Sequence, residues 1–176
     1  MKKLKNSELK RFSVEEFKES EKIPIVVVLD NVRSQSNVGS VFRTADAFRI
    51  EAVYLCGITA KPPHREIQKT ALGATESVDW KYFGSAHDAV DELKKNNYQV
   101  YAVEQVKDSL KLGEYIPDSS RKIALIFGNE VKGVQQEIIN LSDGCIEIPQ
   151  YGTKHSLNVS ISVGIVLWEL HQVLKK

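Results

Sequence analysis

Apolar and polar residues alternate along this chain in blocks that predict strands and helices in turn. The run Ile23–Leu29 is continuously apolar and rich in β-branched residues, which is typical of a strand covered on both faces. Apolar residues then recur at helical spacing from Val38 to Phe48, and Asn37 is the expected N-cap of this helix. Because blocks of these two kinds keep alternating, the pattern predicts an α/β fold with a mostly parallel sheet flanked by helices.

The later blocks follow the same pattern, with one ambiguous segment at the C-terminal end. Ser85 and Asp88 resemble a capping box ahead of an amphipathic helix, and the connection over residues 59–77 is expected to hold one short helix. From Leu157 to Ile165 apolar residues alternate with small ones as in a strand, yet the length of the segment favours a helix of about five turns. Its small residues would suit packing against another helix; they are Ser160, Ser162 and Gly164. Further strands are expected in EAVYLCG, YQVYAVE, KIALIFG and CIEIP, and another helix in VQQEIINLS.

Length and composition indicate one soluble globular domain. With 176 residues the chain can bury a sizeable core, and its 42% hydrophobic and 27% charged residues are ordinary for a globular protein. We expect residues 1–22 to form a loosely attached, charged helical extension and residues 23–176 to form the main domain. The N-terminus lacks the apolar core of a signal peptide and no apolar stretch reaches the length of a membrane span. A cytoplasmic protein without membrane contact is therefore expected.

Cysteines and histidines show no metal-binding pattern. Cys56 and Cys145 each lie in an apolar, strand-like segment, so we expect buried thiols in a reducing compartment rather than a disulfide or a metal pair. The four histidines lack ligand spacing and no CxxC occurs. No metal is expected.

Net charge and its distribution point in different directions. A formal net charge of +1 argues against a protein that binds nucleic acid with its whole surface. Residues 31–70, however, hold six basic side chains against three acidic ones, which permits a local patch that faces phosphates. Solvated charges on helix faces explain the same count equally well. The basic residues of this patch are Arg33, Arg43, Arg49, Lys61, Arg65 and Lys69.

Unusual residues follow the expected strands at their carboxyl ends, where parallel sheets collect ligands. In FGNEVKG, Gly128 and Gly133 have the spacing of a phosphate-binding loop, but Val134 and Gln135 stand where Lys and Ser or Thr are required. Taken alone, this segment fits a tight turn with Glu130 near a helix N-terminus. His155 beside Ser156 suggests a hydrolase, but the GxSxG pattern is missing.

Three segments taken together change the interpretation. N-x-G-x-x-x-R-x-A (Asn37–Ala45), F-G-N-E-x-x-G (Phe127–Gly133) and I-x-I-P…S-L-N-V-S (Ile146–Ser160) occur in this order. They resemble the three motifs of the SpoU (TrmH-type) branch of the SPOUT superfamily, the RNA 2′-O-ribose methyltransferases. The resemblance implies a SPOUT-type α/β fold with a deep C-terminal trefoil knot, and a homodimer. Topological rules alone would not suggest a knot, since threaded connections are nearly absent among folds.

The resemblance also implies a cofactor, S-adenosyl-L-methionine. In relatives the knotted loops hold it largely by main-chain groups, so the corresponding residues here are expected to surround it. They are Val103, Glu104, Phe127, Gly128, Asn129, Ile148, Ser156 and Leu157.

Catalytic roles follow from the same motifs. Arg43 matches the family's catalytic arginine; because guanidinium stays protonated in proteins, we expect it to hold a phosphate beside the target ribose and to stabilise the developing alkoxide. The alternative within the family is that this arginine acts as the base. Asn37 would orient Arg43 or the ribose, and Glu130 would bind Arg43 or organise the substrate pocket. Ser156 and Asn158 would complete the wall around the methyl group.

The basic residues could instead be ordinary surface residues that form ion pairs or are solvated. Arg43 and Asp46 have the i, i+3 spacing of a surface ion pair, which would stabilise the helix by about 0.3 kcal/mol. Gly39 is expected to keep the approach of RNA to Arg43 open. The weaker candidates for phosphate contacts are Arg33, Arg49, Lys61, Arg65 and Lys69, for which a solvated surface is equally consistent.

The expected substrate is structured RNA. The family favours tRNA, and a guanosine of the D-loop within it, over rRNA. Two other functions remain open. One is a non-catalytic RNA-binding protein on the same scaffold, and the other is methylation of a base nitrogen, which the SLN motif does not support.

Overall fold

The computed structural model describes residues 1–5, 8–118 and 120–174. Within them, strands β1 to β7 run over Ile23–Asp30, Ile50–Cys56, Asp79–Phe83, Tyr98–Val103, Leu110–Lys111, Lys122–Phe127 and Gly144–Glu147. Helices α1 to α7 run over Val14–Glu19, Gln35–Ala47, Arg65–Ala71, Ala74–Ser77, Ala86–Lys95, Gln136–Leu141 and Val159–Leu174. A 3₁₀ turn over Leu112–Glu114 follows β5.

The seven strands form one sheet in the order β3-β2-β1-β6-β4-β7-β5, and every neighbouring pair is parallel. The predicted α/β class with a parallel sheet is therefore confirmed. In the middle of the sheet, Val27 of β1 lies between Val53 of β2 and Leu125 of β6. Because all strands point the same way, the segments that follow β1, β4, β6 and β7 meet at one edge. The trefoil knot implied by the resemblance stays a prediction.

Helices cover both faces of the sheet and create two cores, which explains the continuous apolar run of β1. Ile25, Val27 and Leu29 pack on one side with α2, α3 and α7. Val26 and Val28 pack on the other side with α5 and α6. All five side chains are at most 1% exposed. A half-buried strand would have shown alternation instead.

Helix α2 begins earlier than the apolar spacing predicts. Ser34 is its N-cap, and the Ser34 hydroxyl accepts a hydrogen bond from the main-chain N–H of Asn37 at 3.3 Å. The prediction that Asn37 caps this helix is wrong, because Gln35 and Ser36 extend the helix by polar positions that an apolar period cannot reveal. The side chain of Asn37 is thereby free for other contacts.

Gly39 has a packing role that the sequence did not reveal. It is buried in α2, and a Cβ at this position would clash with the carbonyl oxygen of Ile67 and the hydroxyl of Thr70 in α3. The expectation that Gly39 keeps the approach of RNA open is therefore wrong. Its missing side chain lets α2 and α3 pack closely.

Two elements of the region between β2 and α5 were not predicted. Strand β3 is a largely exposed edge strand over Asp79–Phe83, a short segment in which Trp80, Tyr82 and Phe83 stand beside charged residues and no continuous apolar run marks a strand. The preceding connection holds two helices rather than one. Leu72 and Gly73, both with positive φ (50° and 91°), end α3 and turn the chain into α4.

The N-terminal segment is attached more firmly than expected. Ser13 and Glu16 form a capping box that starts α1, and Phe17 of this helix is 4% exposed and belongs to the main core. The expected loose attachment is therefore wrong for this helix. Residues 6 and 7 of that segment, residue 119, and residues 175 and 176 of the predicted last helix lie outside the described residues.

The ambiguous C-terminal segment is a helix, as its length predicted. Asn158 starts α7, because its side-chain oxygen accepts a hydrogen bond from the main-chain N–H of Ser160 at 2.9 Å. Val163, Leu167 and other residues of α7 pack into the core. Gly164 faces open space within this chain, since a Cβ there would meet nothing within 4 Å.

The two cysteines are free thiols, as predicted. Cys56 is buried at the end of β2, and burial raises its pKa to about 12. Cys145 in β7 is half-buried, and burial also raises its pKa. Both thiols are therefore protonated and poorly reactive at neutral pH.

Candidate active site

A cavity of about 710 Å³ opens at the carboxyl edge of the sheet, between the loops that follow β4, β6 and β7. All eight residues expected to surround a cofactor line it, and four of them have apolar side chains: Val103 and Phe127 at the ends of β4 and β6, and Ile148 and Leu157 in the loop after β7. Its volume lies in the range of small-molecule sites. The remaining four of the eight expected residues are Glu104, Gly128, Asn129 and Ser156.

The turn after β6 forms one wall of this cavity and is held by main-chain and side-chain hydrogen bonds. Asn129 and Gly133 bond to each other through both main-chain N–H groups, at 3.2 and 2.8 Å. The Asn129 side chain donates to the carbonyl of Asn31 at 2.7 Å and accepts from the N–H of Val131 at 2.9 Å. A Cβ at Gly128 would clash with the main chain of Gly133. Gly128 is therefore required by the turn itself.

Glu104 connects the loop after β4 to the same turn. Its carboxylate accepts from the main-chain N–H of Val134 at 2.9 Å and of Gln105 at 2.8 Å. Gly133, with φ +65°, leaves room for this carboxylate, since a Cβ there would clash with it. Gln105 in turn donates to the carbonyl of His155 at 3.1 Å. These contacts tie all three loops of the cavity together.

Glu130 organises the edge of the cavity that faces α2. Its carboxylate accepts hydrogen bonds from the main-chain N–H groups of Arg33 at 3.1 Å and Ser34 at 3.2 Å, and from the side-chain amide of Asn37 at 3.3 Å. The side-chain amide of Asn158 donates to Asn37 at 3.1 Å. The structure thus joins one residue of each sequence motif in a single hydrogen-bonded cluster: Asn37, Glu130 and Asn158.

Glu130 is an ionised acceptor in this cluster. Burial alone would raise its pKa, but the main-chain hydrogen bonds, above all from Arg33, together with that from Ser34 and the amide of Asn37, lower the pKa below its usual value. A carboxylate with a lowered pKa is a weak base at neutral pH. The geometry therefore fits a residue that organises the loops rather than one that accepts a proton.

Arg43 lies outside this cluster. It is exposed on α2, six residues beyond Asn37, and lines no cavity described here. Within the described chain it makes no hydrogen bond or ion pair. The alternative partner Asp46 accepts a hydrogen bond from Ser77 at 2.6 Å instead. The surface pair between Arg43 and Asp46 is therefore not formed.

The weaker RNA candidates differ in their surroundings. The guanidinium of Arg49 lies over the ring of Phe12, 5.5 Å from its centroid, and the ammonium of Lys61 lies 4.1 Å from the ring centroid of Tyr82. Lys69 pairs with Glu66 at 2.7 Å. Arg33 and Arg65 are exposed. Of these five, Arg33 is adjacent to the Glu130 cluster through its own main chain.

Sequence reasoning missed several residues that line the cavity. Lys132 lies within the segment FGNEVKG and Gln105 directly follows Glu104, but a lysine or glutamine in a loop is too common to stand out. Ser162 lies one turn into α7 on the cavity side, where helical spacing from Asn158 could have placed it. The remaining additional lining residues are Val106, Val131, Gln136, Ile139, Gln150, His155 and Val159, besides the residues already named.

Residues 1–5, 8–118 and 120–174 show neither a metal-binding cluster nor a membrane-spanning helix. No group of three or more His, Cys, Asp or Glu side chains there could hold a metal ion. No helix in these ranges is long and apolar enough to cross a membrane.

A family model, a relative of known sequence and solved structures all relate this chain to RNA methyltransferases. Residues 24–168 match the model of the SpoU rRNA Methylase family. A tRNA (guanosine(18)-2′-O)-methyltransferase of Thermus thermophilus is 30% identical over 93% of this chain and 82% of its own length. The structure of a TrmH/SpoU tRNA modifying enzyme of A. aeolicus superposes with a TM-score of 0.81 at 28% identity, over 92% of this chain and 81% of that one.

A second similar solved structure contains bound S-adenosyl-L-methionine (AdoMet). It is an AdoMet-bound rRNA methyltransferase from Sinorhizobium meliloti, with a TM-score of 0.79 and 28% identity over 93% of this chain and 62% of that one. The family model covers most of this chain, and the relative from Thermus thermophilus is similar along nearly all of it. The chain therefore belongs to the SpoU family of RNA methylases.

Proposed function

We propose that this protein transfers a methyl group from S-adenosyl-L-methionine to a ribose 2′-hydroxyl of tRNA, with a guanosine as the target. The observation that carries the proposal is the convergence of the three motif segments. Eight residues expected at a cofactor line one cavity, and Asn37, Glu130 and Asn158 form one cluster beside it. The name of the relative from Thermus thermophilus supports tRNA and guanosine. The rRNA enzyme from Sinorhizobium meliloti makes rRNA the second candidate.

The cavity suits the cofactor by size and by chemistry. When bound, S-adenosyl-L-methionine supplies a methyl group on a sulfonium centre for in-line displacement by an oxygen. The apolar side chains of Val103 at the end of β4 and of Ile148 and Leu157 in the loop after β7 offer surfaces for an adenine ring, and the turn at Gly128 lets the main chain approach closely. Glu104 and Glu130 are both occupied by main-chain N–H groups, so they hold the loops in place.

Arg43 is the residue we propose to act on the RNA. Its guanidinium stays charged, so it binds the phosphate beside the target ribose and stabilises the alkoxide that develops on the 2′-oxygen. Asn37 and Glu130 fix the start of the helix that carries Arg43. Arg43 lies six positions after Asn37 in the helix, a rise of about 9 Å. Arg43 does not line the cavity of its own chain, and we propose that the arginine of a second copy reaches it.

We propose a homodimer that uses the outer face of α7. Ile161, Ile165 and Trp168 form an apolar stripe at helical spacing, and they are 54%, 37% and 57% exposed. Gly164 adds a place where another chain can approach closely. The stripe begins next to Leu157 of the cavity, and α7 packs beside α2. A two-fold partner seated on this face therefore lies next to both the cavity and the helix of Arg43.

Replacing Trp168 with glutamate is expected to dissociate this dimer. A charge in the centre of an apolar interface loses its hydration, so we expect the dissociation constant to rise about a hundred-fold or more. Sedimentation velocity over a concentration series measures the change. Ile116→Glu is the matched control, because Ile116 is 83% exposed on a different loop and its replacement should leave the dimer intact. An unchanged dimer in Trp168→Glu would contradict the proposed interface.

A labelling experiment tests the function itself. The purified protein is incubated with methyl-labelled S-adenosyl-L-methionine and with separate tRNA and rRNA fractions from a strain that lacks the gene. We expect label in tRNA; label confined to rRNA would move the substrate to the second candidate. A cytoplasmic location is proposed as well, and two free thiols are in keeping with it.

Calorimetry separates an enzyme from a non-catalytic RNA-binding protein. We expect S-adenosyl-L-methionine to bind with one site per chain and to raise the melting temperature by mass action. Neither heat nor thermal stabilisation would favour the binding protein. Retention of Arg43, Glu130, Ser156 and Asn158 supports the enzyme, since a protein that only binds RNA needs no pocket for a methyl donor.

A further inference from the structure

A second cavity, of about 280 Å³, lies on the other side of the turn that follows β6. Asn129, Lys132 and Gly133 line both cavities, so this one turn separates them. The other lining residues come from the ends of β1 and β2 and from the start of α6. They are Asp30, Asn31, Arg33, Ile58 and Gln135. The roles proposed so far leave this space unexplained.

Asp30, at the end of β1, is the unusual residue of this cavity. It is 1% exposed; its Oδ1 accepts a hydrogen bond from the side chain of Asn31 at 2.7 Å, and its Oδ2 has no hydrogen-bond partner. Burial raises the pKa of Asp30, and the nearby Asn31 and Gln135 side chains only partly offset this effect. A buried carboxylate oxygen without a donor is costly. A ligand that donates to Oδ2 would remove this cost.

The rim of the cavity provides the complementary groups. Arg33 and Lys132 are exposed cations, and neither forms an ion pair within the described residues. Ile58 is 65% exposed and offers a flat apolar surface against which a planar group can rest. Gln135 is an exposed side chain at the start of α6 that can rotate away from the carboxylate. The cavity thus combines one deep acceptor, two cations and an apolar side.

We propose that this second cavity binds the unstacked guanine base of the RNA, with Asp30 Oδ2 accepting from its N1–H and 2-amino groups. The two lone pairs of one carboxylate oxygen can accept both donors. Arg33 and Lys132 meet the O6 atom or a flanking phosphate, as cations do with guanine elsewhere. Enzymes that act on single nucleotides commonly read the base at its Watson–Crick edge, against an apolar side chain. The identity of the base as the methylation target rests on the proposed function.

Guanine matches the carboxylate and the two cations of this cavity better than adenine does. The Watson–Crick edge of guanine presents two adjacent donors beside one acceptor, which matches a carboxylate next to cations. Adenine presents only one donor there, beside the N1 acceptor, so it would leave the carboxylate poorly paired. Inosine lacks only the 2-amino group of guanosine and therefore isolates the second of the two contacts.

Nucleotide titrations followed by amide NMR test the proposal without cofactor or turnover. Guanosine, inosine and adenosine 5′-monophosphates are added to the isotopically labelled protein and to Asp30→Asn. For the native protein we expect shifts at Asn31, Ile58 and Gln135, and about ten-fold tighter binding of the guanine nucleotide than of the other two. In Asp30→Asn we expect this preference to disappear. Glu137→Gln is the matched control, because it removes a nearby exposed carboxylate that does not line the cavity.

A second variant keeps the test decisive if Asp30→Asn folds poorly. Ile58→Asp changes an exposed side chain of the same cavity and should weaken guanine nucleotide binding about ten-fold. Shifts that map elsewhere, or an unchanged preference in both variants, would overturn the proposal. If the protein methylates RNA but neither variant alters guanine binding, the base site is wrong and the proposed function stands. If guanine binds as expected but no RNA is methylated, the proposed function is wrong and the site stands.

Discussion

Arg43→Ala is expected to lower methyl transfer to tRNA by about a thousand-fold, because removing a charged group that stabilises a developing oxyanion has effects of this size. The affinity for S-adenosyl-L-methionine should stay within about three-fold, since Arg43 lines no part of its own chain's cavity. Stability should hardly change, because the side chain is exposed and makes no hydrogen bond or ion pair to the described residues. Steady-state kinetics with labelled cofactor and calorimetric titration measure the two quantities separately.

Arg121→Ala serves as the matched control for this prediction. Arg121 is exposed and pairs only loosely with Asp118, at 3.6 Å, so its loss should leave turnover unchanged. Loss of cofactor affinity in parallel with turnover would contradict the role of Arg43.

Mixing two inactive variants tests whether Arg43 acts across the dimer. If Arg43 serves the partner's cavity, an Arg43→Ala chain paired with a chain whose cavity is damaged has one complete site. Random mixing should then restore about a quarter of the native activity, because half of the dimers are mixed and each has one of two sites. No recovery, with mixed dimers demonstrated by mass spectrometry, would place Arg43 in its own chain's site.

Gly128→Ala is expected to weaken the binding of S-adenosyl-L-methionine about a hundred-fold, because an added Cβ must displace the main chain that lines the cavity. That Cβ would clash with main-chain atoms of Gly133 and Val134, and neither can move as a flexible side chain can. The turn would then lose the paired main-chain hydrogen bonds between Asn129 and Gly133. Calorimetry measures the affinity, and circular dichroism checks that the fold persists.

Gly113→Ala is the corresponding control, since a Cβ at Gly113 would meet nothing within 4 Å. This variant should bind the cofactor as the native chain does. Native affinity in Gly128→Ala as well would show that the cofactor does not depend on this turn, and the cavity assignment would then be wrong.

The central strands and the cavity could be predicted because their causes lie in neighbouring residues. The apolar run of β1 follows from coverage on both faces, and the parallel sheet brings the segments after β4, β6 and β7 to one edge. The motifs then identified the lining residues. Because the turn at Asn129 and Gly133 is held by main-chain hydrogen bonds, its place beside the cavity could be predicted without knowing where the side chains point.

Other features depend on partners distant in sequence, which local patterns do not encode. Gly39 is required because Ile67 approaches it from another helix, and β3 is a strand because β2 offers it an edge, although most of its residues are exposed. Phe17 is buried by contacts with the rest of the core, although the charged segment around it suggests a loose extension. The unpaired oxygen of Asp30 is visible only when all loops around it are in place.

The most direct test of the central claim is the identity of the methylated nucleoside. tRNA from a strain that lacks the gene is treated with the protein and labelled cofactor, digested to nucleosides and analysed by mass spectrometry. We predict a single labelled product, 2′-O-methylguanosine, with the label on the ribose fragment. A methyl group on a base nitrogen, or the absence of any labelled nucleoside, would contradict ribose methylation at this site.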